Sequence, residues 1–224
     1  MAWDSTWDRV FATQNWGKYP SESLIRFVAR NFYARPRRQV RILEIGCGPG
    51  ANIWYLARER FQTFGIDGSA VAISLARKRL SSEGLRADLR VGDISELPYR
   101  DEYFDAVVDL ACLSCNPLKE AETILAEARR VLRPGGKLFS LAFTDKTFIG
   151  KAKDLGGRSY KRVKEGPLAD IGFVRLTDRR TARRLYGAGF QLLSLDRLDF
   201  TVSSEAALVA HWVVVAEKEL SSEK

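Results

Sequence analysis

The sequence predicts an α/β three-layer sandwich, built on a mostly parallel sheet of seven strands that ends in an antiparallel hairpin. Three observations predict it. Short apolar or β-branched runs alternate with helical stretches from about residue 41 to residue 143. Such alternation implies parallel strands joined by right-handed crossovers. The last two β-rich runs, near 190–200 and 207–217, leave no room for a crossover helix, so they should pair antiparallel at one sheet edge. At 224 residues and 46% hydrophobic content, the chain can bury one sizeable core.

The elements follow in order. The first twenty residues carry Trp3, Trp7, Phe11, Trp16 and Tyr19, and the first three of these recur every fourth residue, on one helical face. A terminal helix packed by its aromatic stripe and a cap closing over a ligand both suit that spacing. Ser21-Glu22-Ser23 supplies capping residues for a second helix through Leu24-Ile25-Arg26-Phe27-Val28 toward Tyr33, and Arg35-Pro36-Arg37-Arg38 breaks it. Strands are then expected near 41–45, 62–66, 87–91, 104–109 and 137–143, with helices near 52–59, 69–81 and 118–132. Residues 144–175 are rich in Gly and Lys/Arg and have little periodicity, so they read as an insertion. A helix near 177–187 ends at Gly187-Ala188-Gly189. The expected organisation is one domain over 1–224, with an aromatic cap at 1–35 and a basic lid at 144–175.

Charge is distributed unevenly. The net charge is +8, and residues 144–184 hold twelve Lys/Arg against five Asp/Glu, which places nearly all the excess in one segment. A solvated basic face explains most of it, and a surface that recruits an anion is the functional reading. The N-terminus lacks a basic region followed by an apolar one, and no apolar run approaches bilayer length. Three cysteines, Cys47, Cys112 and Cys115, are too few and too oddly placed for a disulfide framework, so a cytoplasmic protein without membrane association is expected.

The chemistry concentrates in R-I-L-E-I-G-C-G-P-G, residues 41–50. Gly46, Gly48 and Gly50 let the backbone turn sharply and approach a ligand, and the following helix aims its unpaired N–H groups at it. Glu44 offers a carboxylate to a cation just before the turn. Asp67 ends the run Phe61-Gln62-Thr63-Phe64-Gly65-Ile66, where a carboxylate can take two hydrogen bonds from a diol. Val91-Gly92-Asp93-Ile94 ends a third run and is followed by Leu97-Pro98 and Tyr103-Phe104-Asp105. Residues 130–138, R-V-L-R-P-G-G-K-L, read as a helix, a Pro-Gly-Gly turn and a new strand.

In order and spacing these four segments, from about Arg41 to Phe143, resemble the class I S-adenosylmethionine-dependent methyltransferases, in particular those acting on small molecules. The resemblance implies a Rossmann-like sheet and S-adenosylmethionine as cofactor, with S-adenosylhomocysteine as product. It implies that Glu44, Gly46, Cys47 and Gly48 lie along the methionine part, with Gly50 and Asn52 nearby. Asp67 would hold the ribose hydroxyls beside Gly68 and Ser69, Asp93 would accept from the adenine amino group, Ile94 would touch the ring, and Leu110 would offer its carbonyl to the methionine amino group. Residue by residue, Asp67 and Ser69 also suit a helix cap, and Asp93 suits an Asx turn. A dinucleotide dehydrogenase is the competing reading, since Asp67 follows the glycines at a suitable distance. Against it, the glycines run G-x-G-x-G with Ala51 where a glycine is required, and the chain leaves little room for a second catalytic domain.

Methyl transfer from a sulfonium is an in-line displacement that needs alignment above all. A general base is not declared: Leu113-Ser114-Cys115-Asn116 stands where relatives often carry histidine, which leaves His211, Asp109 and Tyr160 as candidates, with Asp145 beside them. Cys112-x-x-Cys115 has no second pair, so no metal is expected. Trp16, Tyr19, Arg158 and Lys161 are the candidate substrate contacts, and a small anionic metabolite methylated on oxygen or nitrogen is the expected acceptor. RNA or protein methylation, and a non-catalytic S-adenosylmethionine-binding subunit or sensor, are the alternatives. A monomer or homodimer is expected.

Overall fold

The computed structural model describes residues 4–14, 17–204 and 206–220. Its main sheet has seven strands: β1 Arg41–Ile45, β2 Gln62–Asp67, β3 Asp88–Val91, β4 Phe104–Leu110, β5 Leu132–Phe143, β9 Gln191–Val202 and β10 Ala207–Glu217. They lie in the order β3-β2-β1-β4-β5-β10-β9. The first five are parallel, and β10 runs antiparallel to both β5 and β9. The strand order therefore reverses at β1, between β2 and β4, and a crevice opens there at the carboxyl ends.

The helices are α1 Thr6–Thr13, α2 Glu22–Phe32, α3 Ala51–Arg58, α4 Ala70–Ser82, α5 Leu118–Val131 and α6 Arg179–Gly187. On one face, Leu24, Phe27, Val28 and Phe32 of α2 and Leu56 of α3 pack on Ile42, Ala106, Val108 and Phe139. On the other, Ile124, Leu125 and Ala128 of α5 and Leu185 and Tyr186 of α6 pack on Leu43, Val107, Leu138 and Val214. Covered on both faces, β4 reads F-D-A-V-V-D-L without alternation, as a central strand of a parallel sheet should. Side chains start two helices: Ser69 Oγ accepts from the Ala72 N–H of α4, and Asp178 Oδ1 accepts from the Thr181 N–H of α6 at 2.7 Å. Ser21 precedes α2, but its side chain makes no capping bond.

Two expectations are corrected. Pro134-Gly135-Gly136 is not a turn before the strand, because β5 already starts at Leu132, opposite Phe104. The next pair is Ala106 with Lys137, so residues 133–136 bulge out of the ladder. Gly135 takes φ +71°, and a Cβ on Gly136 would stand 2.8 Å from the Arg133 carbonyl oxygen. Residues 144–175, read as an insertion of little periodicity, contain short strands that the sequence did not predict. Strands β6 Lys153–Asp154, β7 Ser159–Lys161 and β8 Val174–Arg175 form a small antiparallel sheet over Val163, Leu168, Ile171 and Phe143. Among the described residues no helix is long and apolar enough to cross a membrane.

The bulge makes a direct prediction. Replacing Gly136 by Ala sets a Cβ against backbone that cannot swing aside, and should destabilise the protein by about 2 kcal/mol. Denaturant unfolding measures it, and a midpoint equal to wild type would contradict the geometry.

Candidate functional site

The site grows from the end of β1. The chain leaves Ile45 through Gly46, Gly48 and Gly50, all at positive φ (+64°, +50° and +83°). The Gly46 and Cys47 N–H groups donate to the Ile66 carbonyl at the end of β2, at 2.8 and 3.1 Å. A Cβ on Gly46 would meet Cys112 Sγ at 2.3 Å, and one on Gly50 would meet Ala76 Cβ at 2.9 Å. Only glycine admits this course between β1, α4 and the loop after β4.

Two carboxylates organise the turn. Asp67 is buried; its Oδ2 accepts the Gly48 N–H and its Oδ1 the Ser69 N–H, each at 2.8 Å. It thereby ties the glycine turn to the start of α4 while still lining the cavity beside them. Burial raises its carboxyl above the ordinary range, partly offset by those two donors. Glu44 is 2% exposed. Its Oε1 accepts from Asn52 Nδ2 at 2.7 Å, and its Oε2 is buried with no hydrogen-bond partner among the described residues. Desolvation pushes its pKa up to about 8, against the Asn52 bond that favours the charged form. An orphaned carboxylate oxygen at that depth costs several kcal/mol unless a cation or donor meets it.

The cavity has a volume of about 750 Å³, within the range of small-ligand sites. Of the expected donor-binding residues, the structure gathers Glu44, Gly46, Cys47, Gly48, Asn52, Asp67, Gly68, Ile94 and Leu110 in its lining. Gly50, Ser69 and Asp93 lie outside the lining. Gly50 precedes α3, and Ser69 caps α4 and donates to Asp8 Oδ1 at 2.5 Å. Asp93 Oδ1 accepts from both the Ser95 N–H and hydroxyl, which makes the Asx turn. These residues fit S-adenosylmethionine: the orphaned Glu44 oxygen asks for a cation, and the turn is a cradle that side chains would fill.

The second half of the cavity is closed by segments the sequence marked less clearly. From α1 come Trp7 and Phe11, with rings stacked at 5.4 Å, and Asp4 and Ser5 precede them. The Asp8–Ser69 bond fastens this helix to α4 beside the cavity that Trp7 and Phe11 line. Trp3 and Trp16 lie outside the described residues. Tyr19, 77% exposed, stands at the mouth with its ring edge toward Trp54. Opposite are Phe143, Ile171, Phe173 and Lys161, whose Nζ lies 6.0 Å from the Phe173 ring.

Lys161 is the one basic side chain in the lining. Arg158, expected at the substrate, instead pairs with Asp178 at 2.7 Å. The three candidate bases also stand outside the lining. Asp109 is fully buried, accepting from Ser140 Oγ at 2.5 Å and from the Leu113 N–H, and desolvation raises its pKa to about 6. His211 lies between the Phe143 and Phe200 rings, and burial lowers its pKa to about 4. Tyr160 packs in the small sheet.

A residue absent from the sequence expectations joins these parts. Arg175, 4% exposed, donates to the Leu113 and Asn116 carbonyls and to Thr177 Oγ1. With Asp109 holding the Leu113 N–H, it clamps loop 111–117, which supplies Ala111, Cys112, Cys115 and Asn116 to the cavity. Ala111 sits at φ +66°, a conformation that needs such support. The sequence signal was an isolated arginine in the apolar run Phe173-Val174-Arg175-Leu176.

Comparison with known proteins agrees with this geometry. A methyltransferase-domain family model matches residues 42–136. Methyltransferase GfsG of Streptomyces halstedii is 31% identical over 170 residues, covering 74% of this chain and 56% of that protein. A fatty-acid O-methyltransferase of Mycolicibacterium smegmatis is 40% identical over 98 residues, 43% of this chain and 34% of that protein. The chain thus spans about half or less of the length of the curated relatives it matches. A SAM-dependent methyltransferase of Methanosarcina mazei shares the fold with a TM-score of 0.69 at 24% identity, over 80% of this chain and 92% of that one.

The Glu44 environment predicts a pH dependence. An acid whose folded pKa stands above its unfolded value contributes stability below the unfolded value, and loses it as pH rises through the folded one. Without ligand, the melting temperature of the wild type should therefore fall from about pH 5 to about pH 8 more steeply than that of Glu44→Gln. Parallel profiles would show that Glu44 is not the strained acid the geometry makes it.

Proposed function

Because this chain carries a class I S-adenosylmethionine-dependent methyltransferase domain, we propose that the protein transfers the methyl group of S-adenosylmethionine to a small, largely apolar molecule at an oxygen or nitrogen atom. The observation that carries the reading is the buried, unpartnered Oε2 of Glu44, a residue that lines the same cavity as Trp7, Phe11, Phe143 and Phe173. When bound, S-adenosylmethionine supplies a methyl group already activated by its sulfonium. The work left to the protein is to hold, align and dry the reactants.

Glu44 holds the cationic amino group, with Asn52 fixing the orientation of its other oxygen. Asp67 takes the ribose diol with acceptor capacity beyond its two backbone bonds. Gly92, Ile94 and Leu110 line the same cavity; when the donor is bound, Ile94 and Gly92 would border the adenine and the Leu110 carbonyl would accept from the methionine amino group. The loop clamped by Asp109 and Arg175 forms the wall between donor and acceptor, and α1 keeps water out. Trp7, Phe143, Ile171 and Phe173 suit an apolar acceptor body, and Lys161 offers one place for an anionic group. The basic side chains of residues 144–175 are mostly exposed and, apart from Lys161, lie outside the lining, so the reading of a small acceptor rests on the ligand-sized cavity itself. Similarity to a fatty-acid O-methyltransferase supports an apolar acceptor as well.

A labelled-methyl assay over apolar acids, phenols and amines tests this. Trp7→Ala and Phe173→Ala should each raise the acceptor KM about tenfold or more while leaving the donor KM within about twofold. Lys161→Ala should affect only acceptors that carry an anion. His211→Gln should retain turnover, since His211 stands outside the lining. Equal turnover on RNA, or donor binding without transfer to any small molecule, would overturn the proposal.

A further inference from the structure

We propose that β9 is a dimerisation edge, pairing antiparallel with β9 of a second copy in a register centred on Leu198. The strand is the outermost of the sheet, and β10 pairs with it on one side from Gln191 to Val202 except at a bulge at Leu193. Its other edge is a row of backbone donors and acceptors with no strand beside it among the described residues. Twelve residues without proline or glycine are long for such an edge, and natural edges are usually short, bulged or charged to prevent pairing. This edge has a bulge at Leu193 and the charges of Asp196, Arg197 and Asp199, yet residues 194–202 pair regularly with β10 and Leu193, Leu198 and Phe200 are exposed by 45, 41 and 45%. Phe200 is held in place by stacking on His211, so little order has to be gained when it is covered.

Symmetry and charge then choose the register. A two-fold axis perpendicular to the sheet keeps each residue on its own face, so only registers that pair residues of equal parity close a dimer. Centring on Asp196, Arg197 or Asp199 sets like charges directly opposite each other. Centring on Leu195 or Phe200 leaves Arg197 and Asp199 without opposite charges across the axis. Centring on Leu198 places Arg197 opposite the partner's Asp199, and Asp199 opposite the partner's Arg197. On the other face Leu198 meets its own copy, and Phe200 of each chain stands diagonal to it and opposite Asp196 of the other copy. Within one chain Arg197 and Asp199 already pair at 2.8 Å along the strand, which puts both charges on the same face. The edge is thus self-complementary in a single register, which fits a second copy of this chain.

Sedimentation equilibrium of the purified full chain tests the proposal. The wild type should associate to a dimer. Arg197→Asp and Asp199→Arg, each alone, set like charges opposite twice and should weaken dimerisation about tenfold or more. Mixed in equal amounts, the two variants should associate again, because a strand with only acids at those positions faces one with only bases. Melting curves check that each variant is folded. A monomeric wild type at all attainable concentrations overturns the proposal. So do single variants that dimerise as well as the wild type, or a mixture that does not recover association.

Discussion

A carboxylate buried to 2% exposure with one oxygen unpartnered is the constraint on which this site turns. Packing alone does not account for Glu44. An amide or an apolar side chain would fill the same volume at lower cost, because burial of an uncompensated charge is among the most expensive features a fold can carry. Asn52 satisfies one oxygen, the Ile53 backbone also favours the charged form, and Oε2 still has no hydrogen-bond partner among the described residues. Glu44 lines a cavity of ligand size, and a cation that reached its unpartnered oxygen would relieve the strain. The raised pKa of Glu44 and the donor recognition proposed for it are two views of the same desolvation.

The rest of the fold serves that position. The sheet reverses its strand order at β1, so Glu44, Asp67 and Leu110 converge from adjacent strand ends without a dedicated loop for each. Asp67 is shared between structure and site: it fixes the turn through the Gly48 N–H and α4 through the Ser69 N–H. One step outward, Asp8 fastens α1 over the cavity. On the far side the buried Arg175 and Asp109 grip opposite polar groups of one loop, the Leu113 carbonyl and the Leu113 N–H. These are satisfied buried charges, and their energetic role is positional more than stabilising.

Much of this was legible in the sequence, and the parts that were not share a physical reason. The parallel strands and their helices show themselves through local periodicity, and the glycine turn through residues whose backbone freedom no other type has. Acidic residues at successive strand ends are equally visible. Strands β6, β7 and β8 were not, since two or three residues are too few for a period and are fixed by tertiary pairing. The Pro134-Gly135-Gly136 bulge was misread as a turn because the two share residue types. Charge counts located the basic segment but not the direction of its side chains: Arg158 turns to Asp178 while Lys161 reaches the cavity. His211 and Asp109 were chosen by type, and only packing shows that both stand behind the wall. Arg175 was missed because a buried guanidinium and a solvated one look alike in a string of letters.

Titration calorimetry with S-adenosylmethionine tests the central claim most directly, run near pH 7 in two buffers of different ionisation enthalpy. The account predicts binding coupled to the release of close to one proton, since Glu44 is protonated before the cation arrives. In Glu44→Gln the proton release should vanish, and affinity should fall about tenfold to a hundredfold. Binding with no proton released, or of equal strength in the variant, would contradict it.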